Sequence, residues 1–193
     1  MLNLRDQILS DGKVFPNNVL KVDSFLNHQI RPDVIAAIVD EFYAHFKDAG
    51  VTKVLTVEAS GIAPAIMTAL KFNVPMLFAK KKEPSTMQDS TILSTTIHSY
   101  TKNEDNTIIV SQQYLDSSDR VLIVDDFLAN GEASLGLVDL CHQAGAEVAG
   151  VAICIEKSFQ DGRKRLEEAG VPVYSEARIA SLANNTVTFH DGH

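Results

Sequence analysis

The strongest constraint on the fold is an alternation of amphipathic helices with short apolar strands. Residues 31–50 carry apolar side chains at helical spacing, with Pro32 near the start and Gly50 just past the end, which predicts an amphipathic helix. Residues 51–59 (VTKVLTVEA) are typical of a buried strand that ends at small residues. Residues 62–72 (IAPAIMTALKF) then predict a second helix.

The alternation continues along the chain and predicts an α/β fold. Further predicted elements are the strands PMLFAKK, RVLIVDDF and EVAGVAICIEK, a helix over residues 133–144 and a last helix before Gly170. Strands that alternate with helices of this length imply crossover connections, and therefore a mainly parallel sheet flanked by helices. A chain of 193 residues is long enough for one sizeable core but short for two complete domains, so we expect one domain over residues 1–193.

Two regions depart from the alternation. Residues 1–30 precede it and predict a small N-terminal hood over one end of the sheet. Residues 82–106 begin with a polar interval and continue into two strand-like segments, which predicts a mobile loop that feeds a two-stranded excursion. Beside a nucleotide site such an excursion is often a flexible lid, and an ordinary β-hairpin is an equally good interpretation.

Composition excludes several classes of protein. A net charge of -8 argues against an extended nucleic-acid interface, although the lysine run 80–82 and Lys157 are candidates for a local polyanion site. Cys141 and Cys154 lie in apolar stretches without metal-ligand spacing, which predicts buried thiols. The N-terminus has no continuous apolar segment, so we expect neither a signal peptide nor a membrane span and infer a cytoplasmic protein.

The segment RVLIVDDFLANGEAS, residues 120–134, predicts a ligand site. An apolar strand ends in Asp125 and Asp126, and a short glycine-containing loop leads into a helix. Ligands of open α/β sheets bind outside the carboxyl ends of strands, and a helix N-terminus there attracts phosphate. We expect both acids to lie past the last ladder residue and to turn toward the hydroxyls of a phosphorylated sugar.

The loop itself suits a phosphate, since Gly131 permits close approach of the backbone and Asn130 tolerates unusual dihedral angles. Neither a Walker loop nor a dinucleotide fingerprint is present in the sequence. The alternative interpretation is a capped helix start that follows a solvent-facing acidic pair.

This segment resembles the phosphoribosyl diphosphate (PRPP) motif of the type I phosphoribosyltransferases. Four segments resemble the bacterial xanthine branch of that family, in the same order and spacing: LKVDSFLNHQI at 20–30, EASGIAPA at 58–65, DDFLANGEA at 125–133 and IEKSFQ at 155–160. Many type I members carry threonine and paired glycines where this chain has Asn130, Gly131 and Glu132. A carboxylate beside a phosphate is unfavourable unless the Glu132 side chain points away.

The resemblance implies a type I phosphoribosyltransferase fold and a role for each matching residue. Asp125 and Asp126 would hold the ribose hydroxyls. The 5-phosphate would be enclosed by Ala129, Asn130, Gly131, Glu132 and Ala133. The diphosphate would lie against Glu58, Ala59, Ser60 and Gly61, where a strained or cis peptide is common in relatives. A plain strand-to-helix turn capped by Ser60 is the alternative for that loop.

For the purine, the resemblance implies Lys157 as donor to the 6-oxygen, Phe159 as a stacking ring, Leu20 as an apolar contact and Asn27 as the partner of the 2-oxygen of xanthine. The alternatives are a surface lysine, a core phenylalanine and a turn asparagine.

The resemblance also implies the reaction, which would transfer the phosphoribosyl group to xanthine and release diphosphate. Mg²⁺ would arrive on PRPP, with no metal ligand in the protein. Dimers are common among relatives, and one of Lys80, Lys81 and Lys82 would then approach the partner's diphosphate.

Three competing functions remain open on the sequence. A regulator that senses PRPP without catalysis ranks below an enzyme, because the acidic chain has no room for a separate DNA-binding domain. A different preferred base, namely guanine, hypoxanthine or adenine, is the alternative within the enzymes. A phosphoacceptor domain also has acids at strand ends, but it would have no function for the ANGEA loop.

Overall fold

The computed structural model describes residues 3–82, 91–99 and 104–190. The helices of this part of the chain are α1 (Leu4–Asp11), α2 (Pro32–Phe46), α3 (Ile62–Phe72), α4 (Glu132–Ala144) and α5 (Gly162–Glu168). The strands are β1 (Lys13–Phe15), β2 (Val19–Lys21), β3 (Lys53–Val57), β4 (Met76–Ala79), β5 (Ile92–Ser99), β6 (Glu104–Ser111), β7 (Arg120–Leu128), β8 (Glu147–Lys157), β9 (Val173–Ser181) and β10 (Thr188–Phe189).

Six strands form the central sheet, in the order β10-β9-β8-β7-β3-β4. Neighbouring strands from β9 to β4 are parallel, and β10 runs antiparallel to β9. Side chains of β7 alternate between two cores, because successive residues of a strand point to opposite faces. Leu122 and Val124 join the core beneath α2 and α3, whereas Val121 and Ile123 join the core beneath α4 and α5. The predicted α/β class, with a mainly parallel sheet flanked by helices, is confirmed.

Helix boundaries follow local signals. Pro32 occupies the first turn of α2, where its missing N–H costs nothing, and Asn73 ends α3 in the left-handed conformation, with φ 56°. The predictions for α3 and α4 agree with the structure to within one residue. Strands β9 and β10 and helix α1 were not predicted. The sequence of β9, VYSEARIAS, mixes polar with apolar residues, and its Ser175 is buried because it finds a hydrogen-bond partner in β8.

The N-terminal hood consists of α1, the β1–β2 hairpin and one turn of π-helix over Asp23–Asn27. Asn17 and Asn18 turn the hairpin at φ 64° and 58°, as a tight hairpin requires. Leu20 and Phe25 reach into the core beneath α2, so the hood is attached to the sheet by apolar packing. The predicted hood is therefore confirmed.

Strands β5 and β6 form an antiparallel hairpin outside the central sheet, with pairs that run from Ile92 and Ser111 to Ser99 and Glu104. The hairpin lies on α4, where a Cβ added to Gly136 would come within 2.5 Å of the Ile97 side chain. The predicted two-stranded excursion is thus present. Residues 83–90 and 100–103 of the predicted lid lie outside the described residues, so the lid stays a prediction.

Candidate active site

The winding of the sheet reverses between β3 and β7. From β3 the chain passes through α3 to β4 on one side, whereas from β7 it passes through α4 to β8 on the other side. Such a reversal leaves a crevice outside the carboxyl ends of the two strands, where ligands of open α/β sheets bind. Residues 58–61 follow β3 and residues 129–133 follow β7, so the two predicted loops flank this crevice.

Two adjacent carboxylates lie beside the crevice. Asp125 and Asp126 are only 6% and 9% exposed, so they are not the solvent-facing pair of the alternative interpretation. The backbone N–H of Asp126 donates to Asp125 Oδ1 over 2.9 Å, and Asn27 Nδ2 donates to Asp126 Oδ2 over 3.1 Å. Burial, followed by the charge of Asp126, raises the pKa of Asp125 well above its usual value, although the charge of Lys81 opposes this shift. Both carboxylates keep acceptor capacity for the hydroxyls of a ligand.

The expectation that both acids lie past the last ladder residue is wrong. β7 stays paired with β8 as far as Leu128, which lies opposite Glu156. Pairing with β3 ends earlier, at Ile123 opposite Leu55. The edge of β7 toward β3 is therefore open from residue 124 onward, and this opening gives the acids access to the crevice.

The loop after β3 contains a cis peptide bond between Glu58 and Ala59. Its first residue is tied to the end of β4 and to the segment that follows: the Glu58 backbone N–H donates to the Ala79 carbonyl over 3.1 Å, and the Glu58 carboxylate accepts from the Lys81 N–H over 2.7 Å. The predicted diphosphate loop and the lysine run are therefore neighbours.

Gly61 lies so close to the acidic pair that any larger residue there would displace its neighbours. A Cβ at this position would be 2.8 Å from Asp125 Oδ1 and 2.2 Å from Thr56 Oγ1. Thr56 is fully buried, and its hydroxyl has no hydrogen-bond partner among the described residues. α3 starts after Gly61 without a capping side chain in this part of the chain, so Ser60 does not act as the cap.

The loop after β7 brings the N-terminus of α4 to the crevice. Gly131 precedes the helix at φ 84°, which favours glycine, and no side chain of the described residues caps the first turn. The N–H groups of that turn lack intrahelical acceptors and point toward any anion bound there. A Cβ on Gly131 would lie 3.0 Å from the Cα of Gly162, so the loop also rests on the start of α5.

The Glu132 side chain points toward α5, where it forms an ion pair with Arg165. The same guanidinium donates to the Asn130 carbonyl over 2.6 Å. The structure thus meets the condition set by the sequence, because the carboxylate turns toward a cation. Ala129 accepts a hydrogen bond from the Gly162 N–H over 3.0 Å, and Ala133 is half-buried.

Lys157 lies at the end of β8 and reaches the hood. Its Nζ donates to the Asn18 carbonyl over 2.9 Å and lies 5.8 Å from the centre of the Phe127 ring. Burial lowers the pKa of Lys157. This lysine is therefore held between hood and sheet and is not a freely solvated surface side chain.

The other predicted base residues differ in exposure. Phe159 lies in the turn after β8 and is 37% exposed, so it is not a core residue. Leu20 on β2 is buried in the core shared with the hood. Asn27 ends the π-helix and reaches the acidic pair, which excludes its interpretation as a simple turn residue.

The three lysines after β4 have different environments. Lys80 pairs its backbone with Ile109 of β6 and places its Nζ 5.4 Å from the centre of the Phe78 ring. Lys81 and Lys82 are exposed, and only Lys81 is close enough to Asp125 to affect its pKa.

The sequence reasoning missed Thr56, Gly162 and Arg165. The available signals were weak, since a threonine in a β-strand and an arginine in a surface helix are ordinary.

The predicted buried thiols are confirmed, because Cys141 and Cys154 are free and buried, and burial raises the pKa of both.

The described residues contain neither a membrane-spanning helix nor a cluster of metal-binding side chains. None of the described helices is long and apolar enough to span a membrane. In the same part of the chain, no group of three or more His, Cys, Asp or Glu side chains is arranged to hold a metal ion.

Comparison with known proteins gives matches along most of the chain. The model of the "Phosphoribosyl transferase domain" family matches residues 21–177. A xanthine phosphoribosyltransferase of Staphylococcus carnosus (strain TM300) is 58% identical over 185 residues, which cover 96% of each chain. A xanthine phosphoribosyltransferase of Staphylococcus aureus (strain JH9) is 56% identical, with the same coverage.

Solved structures show the same fold at low identity. The structure of APRTase from Giardia lamblia complexed with 9-deazaadenine superposes with a TM-score of 0.80 at 23% identity, and covers 94% of this chain and 100% of that one. Adenine phosphoribosyltransferase from Rhodothermus marinus gives a TM-score of 0.75 at 24% identity, over 91% of this chain and 98% of that one.

Proposed function

Since this chain belongs to the phosphoribosyl transferase domain family, we propose that it joins xanthine to PRPP and forms xanthosine 5'-monophosphate and diphosphate. One observation carries the proposal. A buried acidic pair faces a crevice that is bounded by the uncapped N-terminus of α4 on one side and by a hood asparagine on the other. The relatives that are 58% and 56% identical, both xanthine phosphoribosyltransferases, support xanthine as the base.

PRPP would be held by three groups along the crevice. Asp125 and Asp126 accept hydrogen bonds from the ribose hydroxyls, and their burial makes these bonds stronger than they would be in water. Residues 129–133 enclose the 5-phosphate at the N-terminus of α4, where backbone N–H groups and the helix dipole favour an anion. Residues 58–61 face the diphosphate, with the exposed Lys81 close enough to contribute charge.

The purine would lie between the hood and the end of β8. Lys157 donates to the 6-oxygen of the base and Phe159 stacks on its face, for which its ring is already exposed. Leu20 supplies an apolar contact. Asn27 donates to Asp126 with one N–H, and because its amide carries two, the second can address the 2-oxygen that distinguishes xanthine from hypoxanthine.

Transfer needs no nucleophile from the protein. As diphosphate leaves C1 of the ribose, the sugar develops positive charge, and a nitrogen of xanthine attacks from the opposite face. The carboxylates of Asp125 and Asp126 stabilise that charge and hold the ribose in line with the base. Mg²⁺, when bound with PRPP, would neutralise the departing diphosphate. Its ligands would be hydroxyl and phosphate oxygens of PRPP together with water, with few direct contacts to the protein.

We further propose a cytoplasmic homodimer in which residues 1–193 of each copy form one phosphoribosyltransferase domain. The side chains of Ile66 and Leu70 on α3 are 51% and 79% exposed and border an apolar groove, as expected of a surface that a second copy covers. One of Lys80, Lys81 and Lys82 would approach the diphosphate of the partner. Sedimentation of the purified protein tests this assignment, and a monomer at micromolar concentration would contradict it.

The function is tested by diphosphate release in the presence of Mg²⁺, PRPP and one of four bases: xanthine, guanine, hypoxanthine or adenine. We expect xanthine to give the highest kcat/KM, and the Asp125→Asn/Asp126→Asn variant to lose at least about 100-fold of it, because two charge-specific contacts are removed. A folded protein that binds PRPP but turns over none of the bases would be a sensor and not an enzyme. A preference for another base would retain the reaction and exclude xanthine as the substrate.

A further inference from the structure

The start of α5 lies directly against the loop formed by residues 129–133. The Gly162 N–H donates to the Ala129 carbonyl over 3.0 Å, and a Cβ on Gly162 would be 2.4 Å from that oxygen and 2.9 Å from the Gly131 nitrogen. The two backbones are therefore in contact with no side chain between them. The conformation of the loop depends on where α5 is placed.

Arg165 adds a polar contact from the same helix. Its guanidinium donates to the Asn130 carbonyl over 2.6 Å and forms an ion pair with the Glu132 carboxylate. Both acceptors belong to the loop, and one guanidinium nitrogen, Arg165 Nη1, contacts both of them. A guanidinium suits such a double contact, because its donors have fixed directions.

The charge of Glu132 makes this contact important for anion binding. Glu132 is the first residue of α4, so its carboxylate lies at the helix end that is expected to bind a phosphate. An unpaired carboxylate there would repel the phosphate and occupy the helix N-terminus in its place. The ion pair with Arg165 cancels that charge and holds the carboxylate on the α5 side of the loop.

Arg165 is itself held in place by the anchoring of α5. Two residues earlier, the Arg163 guanidinium donates to the buried Glu156 carboxylate over 2.6 to 3.0 Å. Glu156 is next to Lys157 at the end of β8, so the base end of the crevice and the loop at the other end share one support. A helix of seven residues needs such an anchor, because it is too short to be stable alone.

We propose that Arg165 is a positioning residue for phosphate binding, which neutralises Glu132 and fixes the Asn130 carbonyl so that the loop accepts the 5-phosphate. The proposal rests on the proposed function in one respect, namely that residues 129–133 bind the phosphate. Arg165 touches no substrate in this role. Its loss acts through the uncompensated charge of Glu132.

The test uses Arg165→Met, Glu132→Gln and the double variant Glu132→Gln/Arg165→Met. Ribose 5-phosphate binding is measured by calorimetry, and KM for PRPP and kcat are measured with xanthine. We expect Arg165→Met to weaken ribose 5-phosphate binding and raise KM about tenfold, with kcat changed less than about threefold, because ground-state anion binding is lost. Glu132→Gln should bind at least as well as the wild type. The double variant should return to within about threefold of Glu132→Gln, because no charge remains to be neutralised.

Two further variants separate positioning from folding. Lys164→Met removes a cation from the neighbouring position of α5, where the side chain is 73% exposed and faces Glu168 at 3.9 Å, and it should leave ribose 5-phosphate binding unchanged. Arg165→Lys keeps the charge but replaces the planar guanidinium, whose donors have fixed directions, with a flexible ammonium, so its binding should lie between those of wild type and Arg165→Met.

The outcomes are distinguishable. If the wild type binds ribose 5-phosphate and turns over xanthine while Arg165→Met equals it in KM, the role of Arg165 is wrong and the proposed function stands. If Arg165→Met is impaired equally with and without Glu132→Gln, charge neutralisation is excluded. If the wild type neither binds ribose 5-phosphate nor releases diphosphate, the proposed function fails, and the inference that rests on it fails as well.

Discussion

Two neighbouring strands each carry buried carboxylates, and their surroundings are opposite. Glu156 of β8 accepts hydrogen bonds from Arg163, from Ser158 over 2.6 Å and from Ser175 over 2.6 Å. Asp125 and Asp126 of β7 have no lysine or arginine within ion-pairing distance among the described residues. Asp126 accepts a hydrogen bond from the Asn27 side chain, and Asp125 accepts one from the Asp126 backbone N–H.

The pKa values follow this difference. Burial by itself would raise the pKa of Glu156, but the hydrogen bonds from Arg163, Ser158 and Ser175 outweigh it and lower the pKa to about 2. Burial and the charge of Asp126 raise the pKa of Asp125, and no sufficient partner compensates. The carboxylate that stabilises the fold thus has its hydrogen-bond donors within the chain, whereas the pair beside the crevice keeps acceptor sites for donors of a ligand.

The largest expected effect comes from Glu156→Ala, which leaves Arg163 half-buried without its main partner. We expect a loss of about 3–5 kcal/mol in the free energy of unfolding at pH 7, measured with urea. The pKa of Glu156 is lowered in the folded state, so its stabilisation is present above the unfolded pKa, near 4.5, and is lost as pH falls toward about 2. The difference between wild type and variant should therefore shrink between pH 5 and pH 3.

Glu147→Ala is the matched control on the same strand. Glu147 pairs with Arg120 at 2.9 Å, but both side chains are largely exposed, so its removal should cost less than about 1 kcal/mol. If the two variants were equally stable, Glu156 would not be a structural carboxylate and the contrast between the strands would not hold.

The sequence predicts the acidic pair but not its contrast with Glu156. Apolar periodicity identifies β7 and α4. The two acids of β7 and the glycine-containing loop that links β7 to α4 indicate a phosphorylated sugar. All of these features are local in sequence. The hydrogen-bond partners of Glu156 are 2 to 19 residues away in sequence and come together only through packing of β8, β9 and α5. The opening of β7 toward β3 likewise depends on where these two strands stop pairing, and no local sequence pattern predicts that position.

An intermediate effect is expected for Asn27→Ala, which removes the side-chain hydrogen bond to the acidic pair. We expect kcat/KM for xanthine to fall about tenfold and that for hypoxanthine to fall less, because only xanthine has the 2-oxygen that the second N–H addresses. The measurement is competition between the two bases. Ser24→Ala, an exposed position of the same π-helix, is the control and should change neither value.

Equal losses of kcat/KM for both bases would show that Asn27 acts through Asp126 alone and makes no hydrogen bond to the base. Asn27→Asp extends the test, because it places a further carboxylate beside Asp126. Repulsion between the two should reduce kcat/KM for both bases below the value of Asn27→Ala.

The smallest expected effect is a gain in stability from Asp125→Asn in the ligand-free protein. The folded-state pKa of Asp125 is raised, so its ionisation costs free energy that is absent below the unfolded pKa, near 3.8, and grows as pH rises above it. An asparagine has no such cost, and its Oδ1 still accepts from the Asp126 N–H. Urea unfolding should show a variant about 1 kcal/mol more stable than wild type at pH 7 and equal to it near pH 3. A variant less stable at pH 7 would mean that the Asp125 carboxylate supports the fold as Glu156 does, and the distinction between the two strands would then rest on Asp126 alone.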